Sequence, residues 1–147
     1  MNETDHTNHV EKPAGDPYGR GLRGFGVNLL VADVLAQVRF LVEVLGVEQV
    51  YSDPDFAIMR HDGTDFMLHA DGTYHSNPAL SLTGENGLRG AGVELRLYGI
   101  DADAAVVRAR EFGAHVLQEA TDKPHGLREC YIIGPEGYLW VPGRAKD

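Results

Sequence analysis

The stretch VNLLVADVLAQVRFLVEVLG, Val27 to Gly46, carries a period of two that switches to a period of three and four. Phe25, Val27, Leu29 and Val31 alternate with Gly26, Asn28 and Leu30, which predicts a strand with one buried face. Asp33 is placed to cap a helix whose apolar positions are Val34, Val38, Leu41, Val42 and Leu45, and Gly46 ends it. Two further short strands follow, Glu48 to Tyr51 and Phe56 to Arg60. The second is joined through His61-Asp62-Gly63-Thr64 to a third, Asp65 to His69, because Asp-Gly between apolar runs favours a hairpin.

The same order returns after a loop rich in Gly, Ser, Asn and Pro between Asp71 and Gly90. Val93, Leu95 and Leu97 alternate with Glu94, Arg96 and Tyr98. Asp101 or Asp103 then opens a helix through Ala105, Val106, Ala109 and Phe112, which Gly113 closes. Strands follow at His115 to Gln118, Cys130 to Ile133 and Tyr138 to Val141. Gly46 and Gly113 stand 67 residues apart, so the chain reads as two copies of strand, helix and three strands. One helix covers only one face of a four-stranded sheet. Two such units side by side are expected to curl their open faces into a shared trough, with the helices outside and the trough as a small-molecule site. The fold class is α+β, built of paired βαβββ modules with a curved mixed sheet.

At 147 residues there is room for a single domain that buries a core without disulfide or metal staples. The expected organisation is a disordered polar tail over 1–22 and one domain over 23–147. Within that domain, modules at about 24–70 and 91–142 flank a linker at 71–90. In the tail, His6 and His9 beside Glu3 and Asp5 lack the fixed geometry that a metal site needs. Lys and Arg number 13 against 22 Asp and Glu, a net charge of −9 that disfavours nucleic acid and anionic membrane surfaces as partners. The lone Cys130 forms no internal disulfide and stands in an apolar strand as an inert thiol, and a cytoplasmic location is the expectation.

Three pieces, Val27 to Gly46, GVELRLYGIDADAAVVRAREFGAHV (Gly92 to Val116) and DKPHGLRECYIIGPEGYLWVP (Asp122 to Pro142), together resemble the vicinal oxygen chelate superfamily. That superfamily includes glyoxalase I, bleomycin-resistance proteins, fosfomycin-resistance enzymes and extradiol dioxygenases. The likeness runs from about Gly24 to Pro142, with Gly134 where the family's closing motif usually has Asp. It implies a homodimer, and in the enzymes a divalent metal held by His, Gln and Glu on the first and last strands of each half.

Counted from Asp33, Gly63 and Gly137, those positions fall on Gly26, Met67, Glu94 and Val141. Of these only Glu94 offers a donor of the required kind, so no metal and no cofactor are expected. A slipped register would gather Asn28, His69 and Glu94, although Asn suits such metals poorly. By alternation the trough is lined by Asn28, Leu30, Met59 or Ile58, Met67, His69, Glu94, Arg96, Tyr98, Leu139 and Val141, with His125 on a loop that overhangs it or simply turns the chain. Trp140 and Tyr138 have the opposite parity, so at least one of them is expected to pack beneath the second helix, and the tryptophan is expected in the core.

Among relatives, the sequence is most similar to the metal-less bleomycin-resistance branch. That likeness implies a protein that sequesters an organic, antibiotic-like ligand, drawn as a cation by the negative charge. The alternative is a metal-dependent lyase, isomerase or dioxygenase of the glyoxalase kind with Glu94 as ligand or general base. A third possibility, an interaction module without a small ligand, requires a trough filled by its own side chains.

Overall fold

The computed structural model describes residues 10–73, 79, 83 and 89–146. The histidines of the N-terminal tract and most of the 71–90 linker, Gly84 and Gly87 included, lie outside the described residues. The chain divides into two compact units, Met1–Arg39 with Val47–Leu80, and Phe40–Gly46 with Ser81–Asp147. Among the described residues no helix is long and apolar enough to cross a membrane.

The first repeat runs β1 (Asn28–Val31), α2 (Val34–Leu45), β2 (Glu48–Ser52), β3 (Phe56–His61) and β4 (Thr64–Ala70), and of these elements only the Phe40–Leu45 part of α2 falls in the second unit. The sheet order is β1-β4-β3-β2, with β1 parallel to β4 and the other pairs antiparallel. The Asp33 carboxylate caps α2 by accepting the Ala36 amide at 3.0 Å, as its sequence position predicts. One face of the sheet is aliphatic core: Leu29, Val31, Ala57, Met59 and Leu68 are buried, as are Val34 and Val38 of the same unit.

β1 begins at Asn28 and not at Phe25, which is 86 % exposed. Its neighbour β4 accounts for the late start. The ladder begins only where the Met67 amide donates to the Val27 carbonyl, so the residues before Val27 have no strand to pair with.

The expected tail is corrected. Gly15–Gly21 form a short helix, α1, and although none of its residues is buried, the Tyr18 hydroxyl donates to Asp65 on β4 at 2.9 Å. Sequence periodicity could not show this, because seven polar and glycine-rich residues carry no apolar stripe.

The second unit repeats the order with β5 (Glu94–Tyr98), α3 (Ala102–Phe112), β6 (His115–Asp122), β7 (Leu127–Ile133) and β8 (Leu139–Ala145). Its sheet order is β5-β8-β7-β6, again with the first strand parallel to the last. Of the two candidate caps it is Asp101 that accepts the Ala104 amide, while Asp103 binds Arg128. Gly113 ends α3 at φ 91, the left-handed turn that favours glycine.

β6 and β7 run longer than their apolar cores suggest. Gly126, at φ 93, closes a tight turn with Lys123 that lets the polar residues Thr121, Asp122, Arg128 and Glu129 join the ladder. Trp140 packs in the core as expected, its ring 6.5 Å from Phe40, which in turn meets Phe112 edge-on at 5.7 Å. Cys130 is buried, and that burial raises its thiol pKa to about 11, which keeps it protonated and unreactive near neutrality.

Candidate functional site

Strand register decides which side chains share a face. In the first sheet Asn28 pairs with Met67 and Leu30 with His69, while Phe56, Ile58 and Arg60 stand opposite His69, Met67 and Asp65. These residues form the open face, away from the aliphatic core. Met59 is corrected: it pairs with Phe66, points to the core face and is fully buried, so Ile58 takes the place on the open face. The pleat moves adjacent residues to opposite sides, and β3, central in the sheet and apolar on both faces, gives no polar position from which to count.

This face has a cavity of about 830 Å³. Its floor is Phe56, Ile58, Met67 and His69, and Lys12, Tyr18 and Leu22 of the N-terminal segment line it as well. A second cavity of about 720 Å³ shares Tyr18, Leu22 and Met67 and is lined also by Phe25, Arg60 and Asp65. The rings of Phe56 and His69 lie 4.6 Å apart and those of Phe56 and Tyr51 6.2 Å apart, a three-ring platform. His69 Nδ1–H donates to Asn28 Oδ1 at 2.5 Å, which sets the tautomer.

Burial, and next the Lys12 ammonium, lower the His69 pKa below its ordinary value of 6.5, so the ring is neutral at pH 7. Protonation is then easier in the unfolded chain than in the folded one. The stability contributed by neutral His69 is therefore complete above about pH 6.5 and is lost as pH falls from there toward the lowered folded value. A proton NMR titration of the His69 ring is expected to give a midpoint below 6.5, the ordinary value of an imidazole. A midpoint at or above 6.5 refutes the assignment.

Asp65 accepts from Arg60 Nε at 2.6 Å and Nη2 at 3.1 Å, as well as from Tyr18. The Arg60 guanidinium first, with the Tyr18 hydroxyl against the opposing effect of burial, holds its carboxyl below the usual range. Burial pushes the Tyr18 phenol up to about 12, helped by its bond to Asp65.

The second sheet has an open face of its own. Glu94 stands opposite Leu139 and Arg96 opposite Val141, with Tyr98 opposite Gly143. Glu129, opposite Gly143 on the other side, joins them and is 1 % exposed. Arg96 binds Glu129 and also donates to Glu94 at 3.3 Å, and its guanidinium lies 5.9 Å from the Tyr98 ring centre. His125, half exposed on the β6–β7 turn, meets Glu129 through Nε2 at 3.3 Å.

Glu129 was not among the expected site residues. Counting back in twos from Ile133 and Tyr131 reaches it, so the signal was present one residue before the apolar run. Phe56 and Arg60 follow likewise from Ile58, whereas nothing in the sequence pointed to Lys12 or Tyr18.

The structure thus gathers Asn28, Leu30, Met67 and His69 on one face of the first unit, and Glu94, Arg96, Tyr98, Leu139, Val141 and His125 on one face of the second. Among the described residues no three His, Cys, Asp or Glu side chains are grouped to hold a metal ion. The ligand positions that the superfamily likeness implies do not fit one: Gly26 has no side chain, Met67 and Val141 offer no oxygen or nitrogen donor, and the Glu94 carboxylate is bonded to Arg96.

No protein-family model matches the chain. No curated protein matches it either. Solved structures do. A glyoxalase/bleomycin resistance protein/dioxygenase from Nocardioides superposes with a TM-score of 0.63 at 21 % identity, covering 90 % of this chain and 93 % of that one. A glyoxalase/bleomycin resistance protein/dioxygenase family enzyme from Burkholderia phytofirmans PsJN gives 0.67 at 16 % identity, covering 82 % and 97 %. TioX from Micromonospora sp. ML1 gives 0.62 at 23 % identity, covering 84 % and 99 %. At such identities the likeness establishes the fold and leaves the chemistry to the residues.

Proposed function

We infer that this chain, which carries the paired βαβββ fold of the vicinal oxygen chelate superfamily, is a small-molecule-binding protein that sequesters an organic ligand without using a metal. The observation that carries this reading is the cavity of about 830 Å³ over Phe56, Ile58, Met67 and His69. Ligand pockets of roughly 300–1,000 Å³ with apolar walls and a few placed polar groups are the usual sites for compounds of moderate size. Here the walls are aromatic and aliphatic, and the polar groups are Lys12, His69, Tyr18, Asp55 and Thr73. A neutral His69, held by Asn28, adds a hydrogen-bonding group to the wall of the cavity.

Isothermal titration of the full chain against a panel of glycopeptide, thiopeptide and smaller aromatic compounds is the direct test. The expected result is a ligand bound one per chain, with affinity unaffected by prior chelator treatment. Phe56→Ala is expected to weaken that binding about tenfold or more, as removal of a central aromatic anchor does, and Met67→Ala less. A tightly held equivalent of nickel, zinc, manganese or iron whose removal abolishes binding overturns the reading, as does unchanged affinity in Phe56→Ala. The same proposal has two copies pairing, with the exposed side chains of Leu22 and Phe25 as apolar surface for a second chain. Light scattering that gives the mass of one chain removes that part.

A further inference from the structure

The N-terminal segment places a cation in the cavity. Lys12 Nζ lies 4.9 Å from the centre of the Phe56 ring, within the range at which a ring face attracts a positive charge. That ring is the middle member of the platform formed with Tyr51 and His69. We propose that Lys12 is a built-in competitor: its ammonium occupies, over Phe56, the seat of an organic cation, which binds by displacing Lys12 and lifting the N-terminal segment. This inference rests on the cavity being the ligand site, and it adds the ligand's class and the means by which the site is kept closed.

Three features of the surroundings favour a cation over an anion. Asp55 lines the cavity, and Asp53 stands beside it, accepting from the Tyr51 hydroxyl at 2.5 Å and from the amides of Asp55 and Phe56 at 2.8 Å. Although burial opposes it, those bonds and the Lys12 charge hold the Asp53 carboxyl below the usual carboxylate range, so it stays ionised next to the platform. His69 is neutral and adds no competing positive charge.

Displacement leaves no ion pair of the sheet broken. None of the residues of α1 is buried, and the Tyr18 bond to Asp65 is a polar tie from this helix to the sheet. When that bond opens, Asp65 keeps both hydrogen bonds from Arg60, so no buried carboxylate is stranded.

Three probes that share a benzyl group and differ in charge separate the possibilities: benzyltrimethylammonium, benzyl alcohol and phenylacetate, titrated against the full chain. Lys12→Ala is expected to bind benzyltrimethylammonium about two- to fivefold more tightly than wild type, the range that an exposed cation–ring contact supports. Lys12→Arg is expected to match wild type, and benzyl alcohol to be indifferent to both changes. Amide resonances of Gly15 and Gly19 are expected to move toward unstructured positions on saturation with the ammonium, and Tyr18→Phe to tighten its binding as well.

Unchanged or weaker binding of benzyltrimethylammonium in Lys12→Ala overturns the proposal. So does a failure of the ammonium to bind any variant, or binding that leaves the Gly15 and Gly19 resonances in place. If benzyl alcohol still binds and Phe56→Ala abolishes it, the cavity stands as a ligand site and only the cation seat is lost. If no organic probe or panel compound binds, both readings fail together.

Discussion

Arg96→Ala is expected to lower unfolding free energy by about 2–3 kcal/mol, the cost of leaving a buried charge without its main partner, reduced here because Arg96 is itself a quarter exposed. The carboxylate at risk is that of Glu129, which is buried on β7 and bound by Arg96 with His125 as a weaker second partner. Gly143 of β8 packs against the base of the Glu129 side chain and helps to bury it. A Cβ built at Gly143 would stand 2.8 Å from the Glu129 Cβ. The double variant Arg96→Met with Glu129→Met is expected to be more stable than Arg96→Ala alone, since it removes both charges and keeps the volume. Urea denaturation of wild type, the single variants and the double variant measures this coupling. Additive effects of the single substitutions mean that the pair is a surface contact.

The second large effect belongs to the core. Trp140→Ala is expected to cost about 3–5 kcal/mol, as truncation of a buried aromatic does. Trp140 is 2 % exposed and lies against Phe40, which packs edge-on against Phe112, so the substitution removes one member of an aromatic stack and leaves a cavity. Gly134 shows how closely this stack is packed: an added Cβ there would meet Phe40 Cε1 at 2.8 Å and Trp140 Cδ1 at 3.1 Å. Gly134→Ala is therefore expected to destabilise by about 1–3 kcal/mol through overpacking, although the residue it creates is small. Trp140 is the chain's one tryptophan, so circular dichroism in urea is the suitable readout for these variants. A loss below about 1 kcal/mol for Trp140→Ala contradicts the packing described.

Both predictions bear on the site. The Arg96–Glu129 pair, with Glu129 buried and Arg96 a quarter exposed, holds opposite charges together on the open face of the second sheet. In the first unit the corresponding face keeps an aromatic platform with an ionised Asp53 at its edge. The cavity therefore belongs to the first unit, whereas Glu94 and Arg96, the charged residues that alternation places on an open face, lie in the second.

Periodicity alone determined the two helices, the eight strands and their repeated order, because amphipathic alternation is a local property that each segment displays whatever its neighbours are. It also placed Trp140 and Cys130 in the core and assigned Asn28, Met67, His69, Glu94 and Arg96 to their faces, since parity along a strand survives folding unchanged. Tertiary structure decided the rest. Whether Ile58 or Met59 faces the cavity depends on the cross-strand register with Met67 and Phe66, which a strand apolar on both faces does not encode. The burial of Glu129 depends on a glycine 14 residues later coming to lie over it. The N-terminal helix, with Tyr18 on Asp65 and Lys12 over Phe56, is held by contacts about 45 residues distant in the chain, and a polar segment without an apolar stripe announces no such contact in advance.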